Sequence, residues 1–218
     1  MKKKSGTGKT GSRGLRSRPA LRSPLRTRAS QDAARQTIRR LRRELARALA
    51  LIGELQEKAE TDFLLAVRNR RGFERDLARA IAYIKRYHAT AALIIVDVDR
   101  LKPINDSFGH AAGDEVLKAV AAVLTGQVRS SDVVARLGGD ELAILLWNLT
   151  ETDARAKAKR MEHEIDTLTF TFRDRTVSAG ASAGIAMLDA HAEVGRALEA
   201  ADSAMYLRKA QRRHEGAP

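Results

Sequence analysis

The sequence predicts an α+β domain, a central sheet with helices packed on it, preceded by a long N-terminal helix. Three observations carry this reading. Beyond residue 60, helical and strand periods alternate to the end of the chain. Residues 91–99, "AALIIVDVD", form a continuous apolar run that suits a strand buried on both faces. Residues 38–59 place apolar side chains at alternating steps of three and four, which lays a single seam along a helix.

A chain of 218 residues with 44% hydrophobic content fits one domain with appendages. It has no cysteine, which excludes a disulfide frame and thiolate chemistry and fits a reducing compartment. No run approaches the roughly 20 apolar residues of a membrane span. The first thirty residues lack the apolar middle of a secretory signal, so no transmembrane segment and a cytoplasmic location are expected.

The net charge of +13 is unevenly placed. Residues 1–30 carry ten Lys/Arg and no acid, and residues 31–50 carry six Arg against Asp32 and Glu44, which leaves −1 for the other 168 residues. Basicity therefore belongs to the N-terminal region, and a nucleic-acid-binding role for the domain itself is disfavoured. Residues 1–31 have too little apolar content to fold alone and are expected to be a disordered basic arm. Its bland role is a solvated tail. Its functional role would be contact with an anionic partner, lipid or nucleic acid. Within it, "SGTGKTG" at 5–11 imitates the end of a phosphate-binding loop, but Lys3 stands where the first glycine is needed and no strand precedes it.

Residues 32–61 form the next segment. Ile38, Leu41, Leu45, Ala48, Ile52, Leu55 and Ala59 make the seam, with Arg and Glu around it, and predict a dimerising coiled coil. An amphipathic helix packed on its own domain remains the alternative. Two alanines weaken the seam, and Gly53 costs about 1 kcal/mol relative to Ala.

The main domain is placed at 62–214, with 215–218 as a tail. Residues 70–88 read as a helix through Phe73, Leu77, Ile81 and Ile84. The buried strand 91–99 follows, then a helix over 112–128 through Val116, Leu117, Val120 and Leu124. Strands are expected at 132–137 and 141–147, a charged helix at 151–167, strands near 169–174 and 176–187, and a last helix at 193–212. This order predicts a sheet with helices on one face.

Chemistry concentrates where apolar packing stops. Strand 91–96 runs into Asp97-Val98-Asp99, and the turn at Gly138-Gly139 supplies Asp140 and Glu141. Two carboxylate sources on different strands are suited to converge on one hard cation beside a phosphate group. Between them, Lys102 is a point charge for phosphate. Asn105 and Asp114 pair an amide with a carboxylate, the groups that hydrogen-bond a purine edge. Gly109 and Gly113 allow tight turns or close approach. Asp114 also sits near an expected helix start, where a plain N-terminal charge role stays open.

These segments carry a resemblance. "DVDRLKPINDSFGHAAGDEVL", "RLGGDEL", "SAGIA" at 182–186, "ADSAMYLRKAQRR" at 201–213 and "NRRGF" at 69–73 fall in the order and spacing of the GGDEF domain of diguanylate cyclases. The resemblance implies a nucleotidyl-cyclase-like (ferredoxin-like) fold with a central antiparallel sheet flanked by helices. It implies a nucleotidyltransferase that joins two GTP into cyclic di-GMP with release of two pyrophosphates, across a homodimer or transient dimer. By that similarity Asp97, the Val98 carbonyl and Asp140 would bind Mg²⁺, with Mn²⁺ as the alternative ion. Asp140 or Glu141 would help deprotonate the attacking 3′-hydroxyl, with Lys102 at the phosphates. GTP would be held by Asn105 and Asp114 at guanine and by Lys102, Lys209 and Arg213 at phosphate. "RSSD" at 129–132 matches the family's R-x-x-D inhibitory site, so Arg129 and Asp132 would bind the product. The rival reading is a catalytically degenerate domain serving as a GTP or cyclic di-GMP receptor.

The sequence departs from the family in places. "DFLLAV" at 62–67 keeps Asp62 and Leu64 of the usual D-x-L-T-G-L but loses its Thr-Gly turn. Leu101, Leu137 and Leu142 replace aromatic residues, exchanges that typically cost less than about 1.5 kcal/mol where volume can be accommodated. Arg212 stands where a glycine is common.

Overall fold

The computed structural model describes residues 24–215, and the chain divides between Ile52 and Gly53 into two compact units. Most of the stretch expected to be a basic arm, residues 1–23, lies outside the described residues, as do 216–218. Helix α1 (Pro24–Ala59) starts eight residues before the expected 32, so the end of that stretch is helical. Proline fits there because a first helical residue needs no N–H partner and its φ is already helical. Along the first unit, Ile38, Leu41, Leu45 and Ile52 of the seam are 48–59% exposed, and so are the flanking Leu49 and Leu51.

The second unit continues with β1 (Arg68–Asn69), α2 (Arg70–Tyr87), β2 (Ala91–Asp99), α3 (Leu101–Phe108), α4 (His110–Gly126), β3 (Val133–Gly138) and β4 (Glu141–Trp147). It ends with α5 (Glu151–Asp166), β5 (Thr169–Phe172), β6 (Arg175–Ser178), β7 (Gly180–Leu188) and α6 (Val194–Glu215). The main sheet has the order β1-β3-β4-β2-β7, and β5 and β6 form a separate hairpin. Every pair in the main sheet is antiparallel except β1 beside β3. The sheet is thus mixed rather than purely antiparallel, through a two-residue strand too short to show a period.

All nine residues of β2 are buried, and the strand feeds two cores. Ile94, Val96 and Val98 pack with Val116, Val120, Met161 and Ile165 of α4 and α5. Leu93 and Ile95 pack with Phe73, Leu77, Ala201 and Met205 of α2 and α6. Helices therefore cover both faces, not the one face expected; a strand apolar at every position requires cover on each side. The segment before residue 112 holds its own helix, α3, separated from α4 by Gly109. The strand expected at 176–187 is two, because β6 pairs with β5 while β7 joins β2.

The lead-in segment keeps its turn without Thr-Gly. Asp62 Oδ1 accepts the backbone N–H groups of Leu64 and Leu65 at 3.0 and 2.9 Å, and its carbonyl accepts that of Ala66 at 2.9 Å. Ala66 takes φ 54, a left-handed conformation that costs a non-glycine residue about 1–2 kcal/mol. The end of α1 is tied to α2: buried Glu60 pairs with Arg75, and Asn69 Nδ2 donates to the Ala59 carbonyl at 2.9 Å. Among the described residues no helix is long and apolar enough to cross a membrane.

Candidate active site

Strand pairing brings the two acidic clusters together. β2 and β4 are neighbours with Asp97 opposite Glu141, and the Val98 N–H donates to the Asp140 carbonyl at 3.0 Å. Between β3 and β4, Gly139 turns the chain at φ 42, in the left-handed region that favours glycine. Two arginines brace the turn. Arg136 donates to the Gly139 carbonyl through Nε at 3.1 Å and through its terminal nitrogen at 2.7 Å, and its other nitrogen lies 3.5 Å from Asp62 Oδ2. Arg70 donates through Nε to the Leu137 carbonyl at 2.8 Å and lies 3.7 Å from Glu141 Oε2. The lead-in and the first residue of α2 are thus both wired to the acidic turn.

Beside the turn lies a cavity of about 370 Å³ lined by Val98, Lys102, Asp140, Lys209 and Arg213, all expected site residues. Lys209 Nζ donates to Asp97 Oδ1 at 2.5 Å. Burial pushes the Asp97 carboxyl above its ordinary pKa; Lys209 pulls it down, while the Asp140 and Asp99 charges push it further up, and the net is upward. Glu141 is also raised, first by burial and then by the charge of Asp202 on α6, against the pull of Arg70.

A divalent ion suits this donor set. Asp97 and Asp140 repel one another, and the Lys209 ammonium on one Asp97 oxygen shows that the position takes positive charge. Among the described residues no three His, Cys, Asp or Glu gather around one metal position. Two carboxylates with backbone and phosphate oxygens match the way Mg²⁺ is usually held.

Asn105 on α3 packs against Gly113 of α4, the residue before Asp114. A methyl group at Gly113 would collide with Asn105 Oδ1, so the missing side chain makes room for the amide. That buried Oδ1 has no hydrogen-bond partner among the described residues. Asp114 lies a full turn inside α4, which removes the N-terminal charge role considered for it. Neither residue lines the cavity; α3 carries Asn105 one turn beyond Lys102.

Arg129 and Asp132 stand on a turn of their own. Asp132 accepts the Arg129 N–H at 2.9 Å through Oδ2 and the Trp147 N–H at 3.1 Å through Oδ1, while the Arg129 side chain is exposed. Each carboxylate oxygen retains a lone pair. Neither residue lines the cavity.

Sequence reasoning missed Arg70, Arg136 and Asp202. Arg136 was open to notice, two residues before the glycine pair. Arg70 and Asp202 reach the site only through packing of α2 and α6.

The charge balance makes a prediction. In metal-free protein at neutral pH, Asp97→Asn should raise the thermal midpoint. Because the folded pKa is raised, the ionised carboxyl is less favourable in the fold than in the unfolded chain. That penalty acts above the raised pKa and disappears below the ordinary carboxylate range, where the group is neutral in both states. Thermal melts across pH should show the gap closing as pH falls; a variant less stable than wild type at neutral pH would mean that the Lys209 pair outweighs burial.

Residues 59–215 match the family model described as "Diguanylate cyclase, GGDEF domain". Among curated proteins, the chain is 41% identical over 161 residues to diguanylate cyclase TpbB of Pseudomonas aeruginosa, covering 73% of this chain and 37% of that protein. It is 35% identical over 160 residues to the probable diguanylate cyclase DgcE of Escherichia coli, covering 73% and 14%. The chain therefore spans only a minor part of these relatives' length. Among solved structures, the coiled coil and GGDEF domain of DgcB from Caulobacter crescentus, in complex with c-di-GMP, aligns with TM-score 0.69 at 26% identity over 87% of this chain and 96% of that one. The GGDEF domain of TpbB aligns with TM-score 0.64 at 41% identity over 69% and 89%.

Proposed function

Since the chain belongs to the GGDEF family of diguanylate cyclase domains, we propose that it condenses two GTP molecules into cyclic di-GMP and releases two pyrophosphates. The observation that carries this reading is the meeting of Asp97 with the Asp140-Glu141 turn beside a cavity walled by Lys102, Lys209 and Arg213. Each chain holds one GTP, and two chains face each other. The 3′-oxygen of one nucleotide attacks the α-phosphorus of the other, the bond to the β-phosphate breaks, and pyrophosphate leaves. The 3′-hydroxyl proton passes to the carboxylate of Asp140 or Glu141. The reciprocal step closes the ring.

Asp97, the Val98 carbonyl and Asp140 would hold Mg²⁺, or Mn²⁺ in its place, which when bound offsets charge on the phosphates and lowers the pKa of the attacking hydroxyl. Lys209 would exchange Asp97 for phosphate, joining Lys102 and Arg213 there. Asn105, beside Gly113, and Asp114, the next residue along α4, would read guanine, which presents N–H donors that adenine lacks at the same ring positions. The half-exposed α1 seam supports a homodimer.

Incubation of purified protein with GTP and Mg²⁺, followed by nucleotide chromatography, should yield cyclic di-GMP and pyrophosphate. Protein that binds cyclic di-GMP or GTP and leaves GTP intact would instead be a receptor. Product inhibition belongs to the same reading: Arg129 would meet guanine N7 and O6 as arginine does in nucleic acid, with Asp132 at the ring N–H groups. Arg129→Ala should raise the product plateau severalfold without changing the initial rate, and an unchanged plateau would discard the site.

A further inference from the structure

Arg212 on α6 is a charged side chain only 5% exposed, at a position for which neither periodicity nor chemistry suggested a role. It reaches three carboxylates on two other elements. Its terminal nitrogens lie 2.6 Å from Asp166 Oδ1 and 3.9 Å from Glu162 Oε2, and its Nε lies 3.5 Å from Asp99 Oδ2. Asp99 ends β2, two residues beyond Asp97, and accepts the Ser182 hydroxyl at 3.0 Å. Glu162, 4% exposed, is also gripped by Arg208 at 2.9–3.1 Å and accepts the Ala183 N–H of β7 at 2.9 Å. Both Asp99 and Arg212 line the 370 Å³ cavity.

Helical spacing gives this network a direction. Residues four apart share a face, so Lys209 and Arg213 form one row along α6 and Arg208 and Arg212 form the adjacent row. Anchoring the second row to α5 and to the end of β2 aims the first row at the cavity. The same contact sets opposite charge against Asp99. Without it, a largely buried carboxylate would lose this ion pair in the wall that a triphosphate must approach.

We propose that Arg212 is a positioning residue for nucleotide binding, which neutralises Asp99 in the cavity wall and holds α6 so that Lys209 and Arg213 face the phosphates. This rests on the cyclase reading for the identity of the nucleotide, but its test does not depend on turnover. The dissociation constant of a fluorescent GTP analogue, the KM and kcat for GTP and the thermal midpoint would be compared among wild type, Arg212→Met, Arg212→Lys and the double variant Asp99→Asn/Arg212→Met. Loss of one nearby compensating charge at an interior site should raise Kd and KM about tenfold or more in Arg212→Met, with kcat changed less. Arg212→Lys should recover part of the affinity. Removing the stranded charge in the double variant should recover most of it.

Wild-type Kd and KM in a folded Arg212→Met protein would overturn the proposal. So would a loss that Asp99→Asn does not reverse, which would assign Arg212 to folding alone. If Arg212→Met does not fold, the lysine and double variants carry the comparison, and a double variant that binds the analogue about tenfold or more weaker than wild type would overturn it. Wild type that binds the analogue but forms no product would overturn the cyclase reading alone, because the Kd series still decides the role of Arg212.

Discussion

Asp140→Ala should lower cyclic di-GMP formation by a factor on the order of 10³ or more while leaving the domain folded, the larger part of the loss falling on turnover. The fold is spared because the Asp140 contribution to strand pairing is its backbone carbonyl, which accepts the Val98 N–H and survives the substitution. What disappears is the carboxylate. A positioned proton acceptor contributes typically 10²–10⁴-fold, and loss of an oxygen ligand to a phosphate-binding cation adds several kcal/mol. Stability should hold or rise slightly, since the Asp140 charge helps push both Asp97 and Glu141 above their ordinary pKa values. Product chromatography and a thermal melt on the same preparation check both halves. Activity above about 1% of wild type would remove Asp140 from the centre of the chemistry, where the expected loss is at least 10².

Particular residues show why parts of this molecule are legible from its letters and others are not. β2 could be read to its ends because nine consecutive buried residues leave no competing pattern. The same run implies helices above and below the sheet, a consequence that the one-face expectation overlooked. The junction of Asp97 with Glu141 was foreseeable as chemistry, since cations gather carboxylates, but only the β2–β4 register fixes it in space. α3 was hidden because Gly109, at φ 90, ends it after eight residues. β1 was hidden because two residues cannot display alternation. The charged network around Arg212 had no local signal: Asp99 and Glu162 lie far away in sequence, and such partners are chosen by the packing of α6 on β7, from which its arginines reach α5 and the end of β2. Ala66 marks the opposite limit, since a left-handed turn was discounted when its glycine was missing, yet Asp62 holds it in place.

Substituting the seam should affect activity almost as strongly as removing the acid, and through a different law. On the proposed reading a single chain offers one nucleotide site and ring closure needs two, so the rate would depend on how often two chains meet. Leu45→Arg with Ile52→Arg places two more cations on a helix that already carries Arg39, Arg40, Arg42, Arg43 and Arg47. Both positions are half exposed in the single chain, so the double variant should fold normally and lose only what a second chain would bury. Its mass in solution should be that of a monomer, and that of wild type a dimer. A tethered pair sees an effective concentration near the millimolar range, so in a micromolar assay activity should fall by a factor on the order of 10²–10³. It should then climb with protein concentration, because the site itself is intact and only the encounter is lost. Full activity in a variant that sedimentation shows to be monomeric would mean that the two sites meet without α1, and the seam would need another occupant.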